Sequence, residues 1–329
     1  MAPYPLVSIV IPTSGRGDLL RRAVSSCLEG GYADVTEVVV VPNGPDTSWE
    51  SVFELFKDDA RVRFHSCDAW DRDAARNKGI ELARGELLRF LDDDDYLLPD
   101  AAGKQYEMML EQGVDFSTAG ITVADRDGTP LRNIFPPFVE SGLVAALRHD
   151  RLQIPLAHVY RRSTLAGLRW PLGIRQSEDI VWLIGYAVDR KRSWLRVSFP
   201  VGVWYQHDGP RMSLDRPAGF VHEPTARALF DAHDRLVLQG RLTSGLALTI
   251  GISIWECIHR AFPFNPVLWT RFARLAMRIA PAARPNAPVY RLPVHPLLLL
   301  WLLLPKRWGS ILIQWLRAWG NGWDYRRRL

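Results

Sequence analysis

The sequence predicts an α/β protein on a mostly parallel sheet with helices on both faces, followed by a helical carboxyl-terminal region. Three observations carry this expectation. Apolar runs of strand length recur at Leu6–Pro12, Glu37–Val41 and Leu87–Leu91, as strands buried on both faces require. Helical patterns separate them, the alternation that builds a parallel sheet. Turn signals close the first two runs at Pro12 and at Pro42-Asn43-Gly44, and Pro99 opens a helix after the third.

In chain order, Leu6–Pro12 (L-V-S-I-V-I-P) reads as a buried strand and Thr13–Asp18 (T-S-G-R-G-D) as a polar turn. Asp18 is expected to cap a helix with Leu19, Leu20, Ala23, Val24 and Leu28 on one face. The turn has neither P-loop spacing nor G-x-G-x-x-G, so alone it is a weak phosphate signal. Glu37–Val41 is a second strand, Trp49–Lys57 a helix, Val62–His65 a short strand and Arg72–Arg84 a helix. After Pro99 a helix carries Tyr106, Met109 and Leu110, and Val114–Ala119 is a strand. Residues Gly120–Gly142 are turn-rich and are expected to hold a hairpin. Glu178 and Asp179 precede the helical pattern Ile180, Leu183, Ile184 and Ala187, and Trp204–Ser213 places His207 and Arg211 in a loop.

The third strand delivers four carboxylates, Asp92–Asp95, at its carboxyl end. Adjacent like charges need a solvated face or a cation. Ligands of open α/β sheets sit beyond the carboxyl ends of the strands. A hard divalent ion bridging a phosphate-bearing ligand satisfies both conditions, and a solvated acidic turn satisfies the first. Acids at the start of a helix, such as Glu178 and Asp179, are also favoured by its dipole alone.

At 329 residues and 47% apolar, the chain suits one large domain, or one with a smaller appendage, and not disorder. Cys27, Cys67 and Cys257 lack metal-ligand spacing and are expected as reduced thiols in a cytosolic setting. The first residues lack the basic flank and apolar stretch of a secretory signal.

The net charge of +5 is unevenly spread: Cys257–Leu329 carries twelve Lys or Arg against Asp324 alone, so the rest is net acidic. The same segment holds six of the thirteen Trp. From about Glu223 strand signals vanish, dividing the chain into 1–222 and 223–329. Leu236–Phe262 reads as one long helical stretch. Leu268, Phe272, Leu275 and Ile279 share a helical face opposite Arg271, Arg274 and Arg278, a basic amphipathic pattern. After the Pro-rich stretch 281–296, Leu297–Leu304 is intensely apolar but ends at Pro305, well short of the roughly 20 residues that span a bilayer. Interleaved Leu and Trp with Arg fit an anionic membrane surface better than nucleic acid. The alternative is a helical appendage buried in the protein or in a dimer.

The segments P-L-V-S-I-V-I-P-T, A-A-R-N-K-G-I-E-L-A-R-G-E, F-L-D-D-D-D-Y-L-L-P-D and S-E-D occur in one order. This combination resembles the family 2 glycosyltransferases of GT-A fold over roughly residues 5 to 213. The resemblance implies transfer of a sugar, with inversion, from a nucleotide-diphosphate donor to a hydroxyl of a saccharide acceptor, with Mg²⁺ or Mn²⁺ as cofactor. It places the D-x-D-type motif on Asp92, Asp93 and Asp94, with Asp94 the direct metal ligand, Asp92 at the ribose or a metal-bound water, and His207 a further ligand. It implies Asp179 as the base, oriented by Glu178. Partial burial must then offset the helix dipole that would lower that carboxyl's pKa. Arg76 matches a nucleotide or phosphate contact, Arg211 closes over the diphosphate, and Thr13 and Arg16 lie on the base side. In place of the family's acidic pair after the second strand stands Pro42-Asn43-Gly44, which leaves Asn43 as the hydrogen-bonding group and the nucleotide open.

The expectation is therefore a cytoplasmic, peripheral membrane glycosyltransferase acting on a lipid-linked saccharide in cell-surface polysaccharide synthesis. The rivals are a non-catalytic membrane-associated sugar-binding protein and a sugar-1-phosphate nucleotidyltransferase.

Overall fold

The computed structural model describes residues 6–148, 154–207 and 218–320, with side chains given from 222 to 311 in the last segment. The described chain divides into two compact units, with the main division in sequence after residue 207; short stretches around 147 and at 175–177 group with the second unit.

The first unit opens with strand β1 (Val7–Thr13), helix α1 (Gly17–Cys27), β2 (Thr36–Pro42), α2 (Glu50–Phe56), β3 (Val62–Phe64), α3 (Arg72–Leu82) and β4 (Leu87–Phe90). It continues with β5 (Tyr96–Leu97), α4 (Pro99–Gln112), β6 (Phe116–Ala124), β7 (Pro130–Ile134), α5 (Gly142–Arg148), β8 (His158–Arg161), α6 (Glu178–Asp189) and β9 (Trp194–Tyr205). The sheet order is β3-β2-β1-β4-β8-β6-β9-β5, with β7 on β6. β3, β2, β1 and β4 run parallel, as do β6 and β9, while β8, β5 and β7 join antiparallel. The hairpin expected within 120–142 is the β6–β7 pair.

The strands alternate between two cores. Val7, Ile9, Ile11, Val38, Val40 and Leu87 face one side with Leu20, Ala23 and Val24 of α1 and Tyr106 and Met109 of α4. Val10, Val39, Val41, Leu88 and Phe90 face the other with Ala75 of α3 and Trp182, Leu183 and Tyr186 of α6. Burial on both faces is why these strands read as unbroken apolar runs. Two buried charged groups, Glu37 and Arg89, interrupt them. Glu37 in β2 accepts from Ser8 Oγ at 2.6 Å and the Arg84 amide at 2.6 Å, and pairs with Arg63 at 2.8 Å. Arg89 in β4 is buried and donates to Gln105 of α4, whose amide reaches Ser117 Oγ at 2.9 Å.

The turn after β1 differs from expectation. Arg16, not Asp18, is the N-cap of α1 and makes no side-chain cap; Asp18 lies in the first helical turn. Arg16 has φ 57° and ψ 51°, a left-handed conformation disfavoured for residues with a Cβ.

In the second unit, the stretch 236–262 is broken at 239–243 into α7 (Ala218–Leu238) and α8 (Ser244–Ala261), with Thr243 capping α8 through Leu246 N. Asn265 caps α9 (Pro266–Ile279). Of the anticipated face Leu268, Phe272, Leu275 and Ile279, Phe272 is buried together with Trp269, Ala273 and Ala276, Leu268 and Ile279 are half-buried, and Leu275 is exposed. Arg271, Arg274 and Arg278 are exposed, as their spacing predicts. Pro305 does not end α10 (Pro296–Gly320), which runs through it. Leu300 and Leu304 are buried, while Leu298, Trp301, Leu302 and Trp308 stay exposed. Among the described residues no helix is long and apolar enough to cross a membrane.

Candidate functional site

The parallel pairing of β1 with β4 sets their carboxyl ends side by side. Thr13 therefore meets Asp93 across 80 positions of sequence, Oγ1 to Oδ2 at 2.6 Å. The same hydroxyl lies 2.7 Å from the Gly15 carbonyl. One hydroxyl proton cannot serve both acceptors at once. Burial, opposed by Arg16 and reinforced by the charge of Asp94, pushes the Asp93 pKa up to about 7.

Arg16 reaches over the end of β4. Its Nη1 is 2.6 Å from Asp94 Oδ2 and its Nη2 is 3.2 Å from Asp93 Oδ1. His207, just past β9, brings Nε2 to 3.1 Å from that Asp94 oxygen and 3.4 Å from Arg16 Nη1. Burial opposes the charge on Arg16, and the two aspartates outweigh it, raising its pKa. Among the described residues no three His, Cys, Asp or Glu side chains close on one point, so there is no all-protein metal cage. Mg²⁺ and its like use one or two carboxylates and complete their shell with water and substrate phosphates. Asp94 with His207 fits such an open site, and a cationic nitrogen already lies against the same oxygen.

Asp92 turns the other way, its Oδ1 accepting from Arg76 Nη2 at 2.6 Å. Arg76 is 1% exposed and also contacts Asp73 at 2.9 Å and Glu178 at 3.5 Å. Its guanidinium lies 4.4 Å over the Trp170 ring, which stacks on Trp182 at 4.7 Å. This arginine, anticipated at a nucleotide or phosphate, is itself buried and paired with three carboxylates, of which Asp92 is 32% exposed. Burial, with repulsion from Glu178 and relief from Arg76, pushes Asp73 up to about 7.

Glu178 and Asp179 begin α6. Glu178 is held by Arg72 at 2.6 Å. Burial first, and the neighbouring Glu178 charge second, raise the Asp179 carboxyl well above the usual range. The helix dipole and the Ile180 amide at 2.8 Å work against this without reversing it.

Asn43 follows β2 and its amide is spent on the Thr13 carbonyl at 3.0 Å. Beside it, Trp70 is 76% exposed and lies where a Cβ on Gly44 would stand, which only glycine allows. Arg211 lies outside the described residues. Sequence reasoning missed Arg72, Asn77, Trp170, Trp70 and Arg22. Arg22 packs 4.4 Å from the Tyr96 ring and 3.9 Å from that of Tyr205, and donates to the Asp94 carbonyl at 2.8 Å. Asn77 sits in the motif already singled out, the Asp71 cap and Arg72 lie just before it, and helical spacing alone aligns Arg72 with Arg76.

Residues 8–168 match the family model described as glycosyl transferase family 2. That stretch belongs to glycosyl transferase family 2. The GalNAc(5)-diNAcBac-PP-undecaprenol beta-1,3-glucosyltransferase of Campylobacter jejuni is 33% identical over 99 residues, 30% of this chain and 32% of the relative. The chain spans about half the length of the first three curated relatives that it matches. Residues 1–349 of S. aureus TarS, solved with UDP-GlcNAc, superpose with TM-score 0.63 at 16% identity, covering 84% of this chain and 81% of that one. The mannosyltransferase PcManGT of Pyrobaculum calidifontis, solved with GDP-Man and Mn²⁺, gives 0.53 at 16%, covering 98% and 85%. These likenesses establish the GT-A fold.

Proposed function

We propose that this chain is an inverting glycosyltransferase that moves a sugar from a nucleoside-diphosphate donor to a hydroxyl of a saccharide acceptor. The observation that carries the reading is the meeting of Asp94, His207 and Arg16 at the carboxyl end of β4, on the strand edge where α/β ligands bind. The S. aureus and P. calidifontis neighbours were solved with nucleotide sugars.

On this reading the diphosphate lies over the ends of β1 and β4. A divalent ion, Mg²⁺ or Mn²⁺, held by Asp94 and His207 supplies charge neutralisation to the leaving nucleoside diphosphate. Thr13, Asn43 and the exposed indole of Trp70 border the nucleoside. Asp92 faces the ribose, and Arg76 fixes its direction. Asp179 takes the proton of the attacking hydroxyl, and its raised pKa makes it a stronger base than an ordinary aspartate. Glu178, clamped by Arg72, keeps that pKa raised and orients the base. Arg211 is the residue proposed to close over the diphosphate.

We place the catalytic part in 1–222 and a membrane-facing part in 223–329. A lipid-linked acceptor is supported by the C. jejuni relative, a glucosyltransferase of a PP-undecaprenol-linked saccharide. It is supported too by exposed Leu298, Trp301, Leu302 and Trp308 on α10 and by the Arg271–Arg274–Arg278 face of α9, a composition suited to peripheral binding at an anionic cytoplasmic leaflet.

The test is release of nucleoside diphosphate from a panel of UDP- and GDP-sugars, with Mn²⁺, Mg²⁺ or EDTA and with anionic liposomes carrying polyprenyl-diphosphate saccharides. The expected result is turnover of one donor, lost with EDTA and with Asp94→Ala. Donor binding without turnover under every condition would overturn the reading in favour of a sugar-binding protein.

A further inference from the structure

We propose that Arg16 is a cation latch: without donor its guanidinium occupies the place beside Asp94 that a divalent ion needs, and the ion enters as the donor's diphosphate draws the arginine off. The inference rests on Asp94 being the ion's ligand, as proposed above.

Three features support it. First, the positions coincide. Arg16 Nη1 lies 2.6 Å from Asp94 Oδ2 and 3.4 Å from His207 Nε2, and those two atoms are 3.1 Å apart. An ion within coordination distance, about 2.0–2.2 Å, of both atoms lies no more than about 4 Å from Nη1. On the near side it collides with the guanidinium, and on the far side it still meets its charge while sharing an oxygen already bonded to it. Second, the latch spans both carboxylates, with Nη2 at 3.2 Å from Asp93 Oδ1. One arginine cation thereby serves the acids that would otherwise face each other.

Third, the arginine is poised to leave. Its backbone sits at φ 57°, a region disfavoured for residues with a Cβ. The side chain is 34% exposed, so its outward path is open. A diphosphate is a stronger bidentate acceptor for the guanidinium fork than two divided carboxylates. After the exchange, the ion compensates Asp94 and the arginine compensates phosphate. By linkage, donor and ion then strengthen each other's binding.

The test is Mn²⁺ binding to the full chain without nucleotide, read from the electron paramagnetic resonance signal of unbound Mn²⁺. Arg16→Asn removes the charge and suits a left-handed backbone. It is expected to bind Mn²⁺ about tenfold more tightly than wild type. The gain must vanish in the Arg16→Asn/Asp94→Asn double variant. Arg16→Gly repeats the measurement if the asparagine chain misfolds. Affinity equal to or weaker than wild type in a folded variant overturns the latch, and so does a gain that survives in the double variant. The Asp94 reading fails separately, if Asp94→Asn leaves donor turnover and its Mn²⁺ dependence intact.

Discussion

Asn77 and Trp170 hold each other by a reciprocal pair of hydrogen bonds: Asn77 Nδ2 donates to the Trp170 carbonyl at 3.0 Å, and the Trp170 amide donates to Asn77 Oδ1 at 2.7 Å. The pair pins a loop 93 residues away onto α3 and sets the indole beneath Arg76. Truncation in Asn77→Ala orphans a buried backbone N–H and C=O and is expected to cost about 1–3 kcal/mol. Asn77→Asp keeps the acceptor and is expected to cost less. Thermal unfolding of the two variants checks the order. Equal losses would show that the Trp170 amide bond contributes nothing.

Asp179 carries the pH dependence. Its folded-state pKa is raised by burial and then by Glu178. The base form therefore appears only above the usual carboxylate range, and kcat is expected to rise with pH through that higher value. The linkage sign is the reverse of the usual aspartate. The folded state binds the extra proton, so stability falls as pH rises from the unfolded value of about 3.9. Asp179→Asn is expected to lower kcat by about 10²–10⁴ while raising the melting temperature at pH 7 by about 2–4 °C. Loss of activity together with loss of stability would count against Asp179 as a base with a raised pKa.

Much of this was legible in the sequence, for a physical reason. Strands buried on both faces leave continuous apolar runs, so β1, β2 and β4 and the acids at the end of β4 could be placed by reading alone. The GT-A fold and the family followed from four motifs in order. What the sequence hid were side chains whose partners are remote. Arg89 interrupts an apolar strand, yet it is buried against Gln105. Arg76 has the pattern of a surface helix arginine, and only the fold brings Asp92 and Glu178 to it. In α9, two stripes one position apart are both apolar, and packing within the helical unit chose Trp269 and Ala273 over Leu275. Pro305 reads as a helix end, but a proline can be carried within a long helix whose other hydrogen bonds persist.

Glu37 governs the acid limb of stability. Burial alone would raise its pKa, but hydrogen bonds from Ser8 and Arg84 and the charge of Arg63 outweigh it and depress the value. A depressed folded pKa contributes stability above the unfolded value of about 4.3, and that contribution is lost as pH falls through the folded value. Glu37→Gln is expected to be less stable than wild type at pH 7 by about 1–3 kcal/mol, with the gap closing in acid. Urea midpoints measured from pH 7 down to pH 3 test this; a gap independent of pH would assign the loss to packing.

Arg22 is the positioning residue that ties the acidic loop to β9. Its guanidinium is flanked by Tyr96 and Tyr205 and donates to the Asp94 carbonyl, while the Tyr205 amide donates to Asp95 Oδ1 at 3.0 Å. One side chain thus fixes the backbone of Asp94 relative to the strand that carries His207. Arg22→Met preserves much of the packing volume between the rings but removes the charge and the hydrogen bond to the Asp94 carbonyl. If the geometry of Asp94 and His207 depends on this tie, the Mn²⁺ concentration for half-maximal activity is expected to rise about tenfold. The melting temperature should fall only modestly. A purely structural role predicts the opposite split, a lower melting temperature with an unchanged Mn²⁺ requirement, because the folded fraction, with Asp94 and His207 undisturbed, would bind the ion as wild type does.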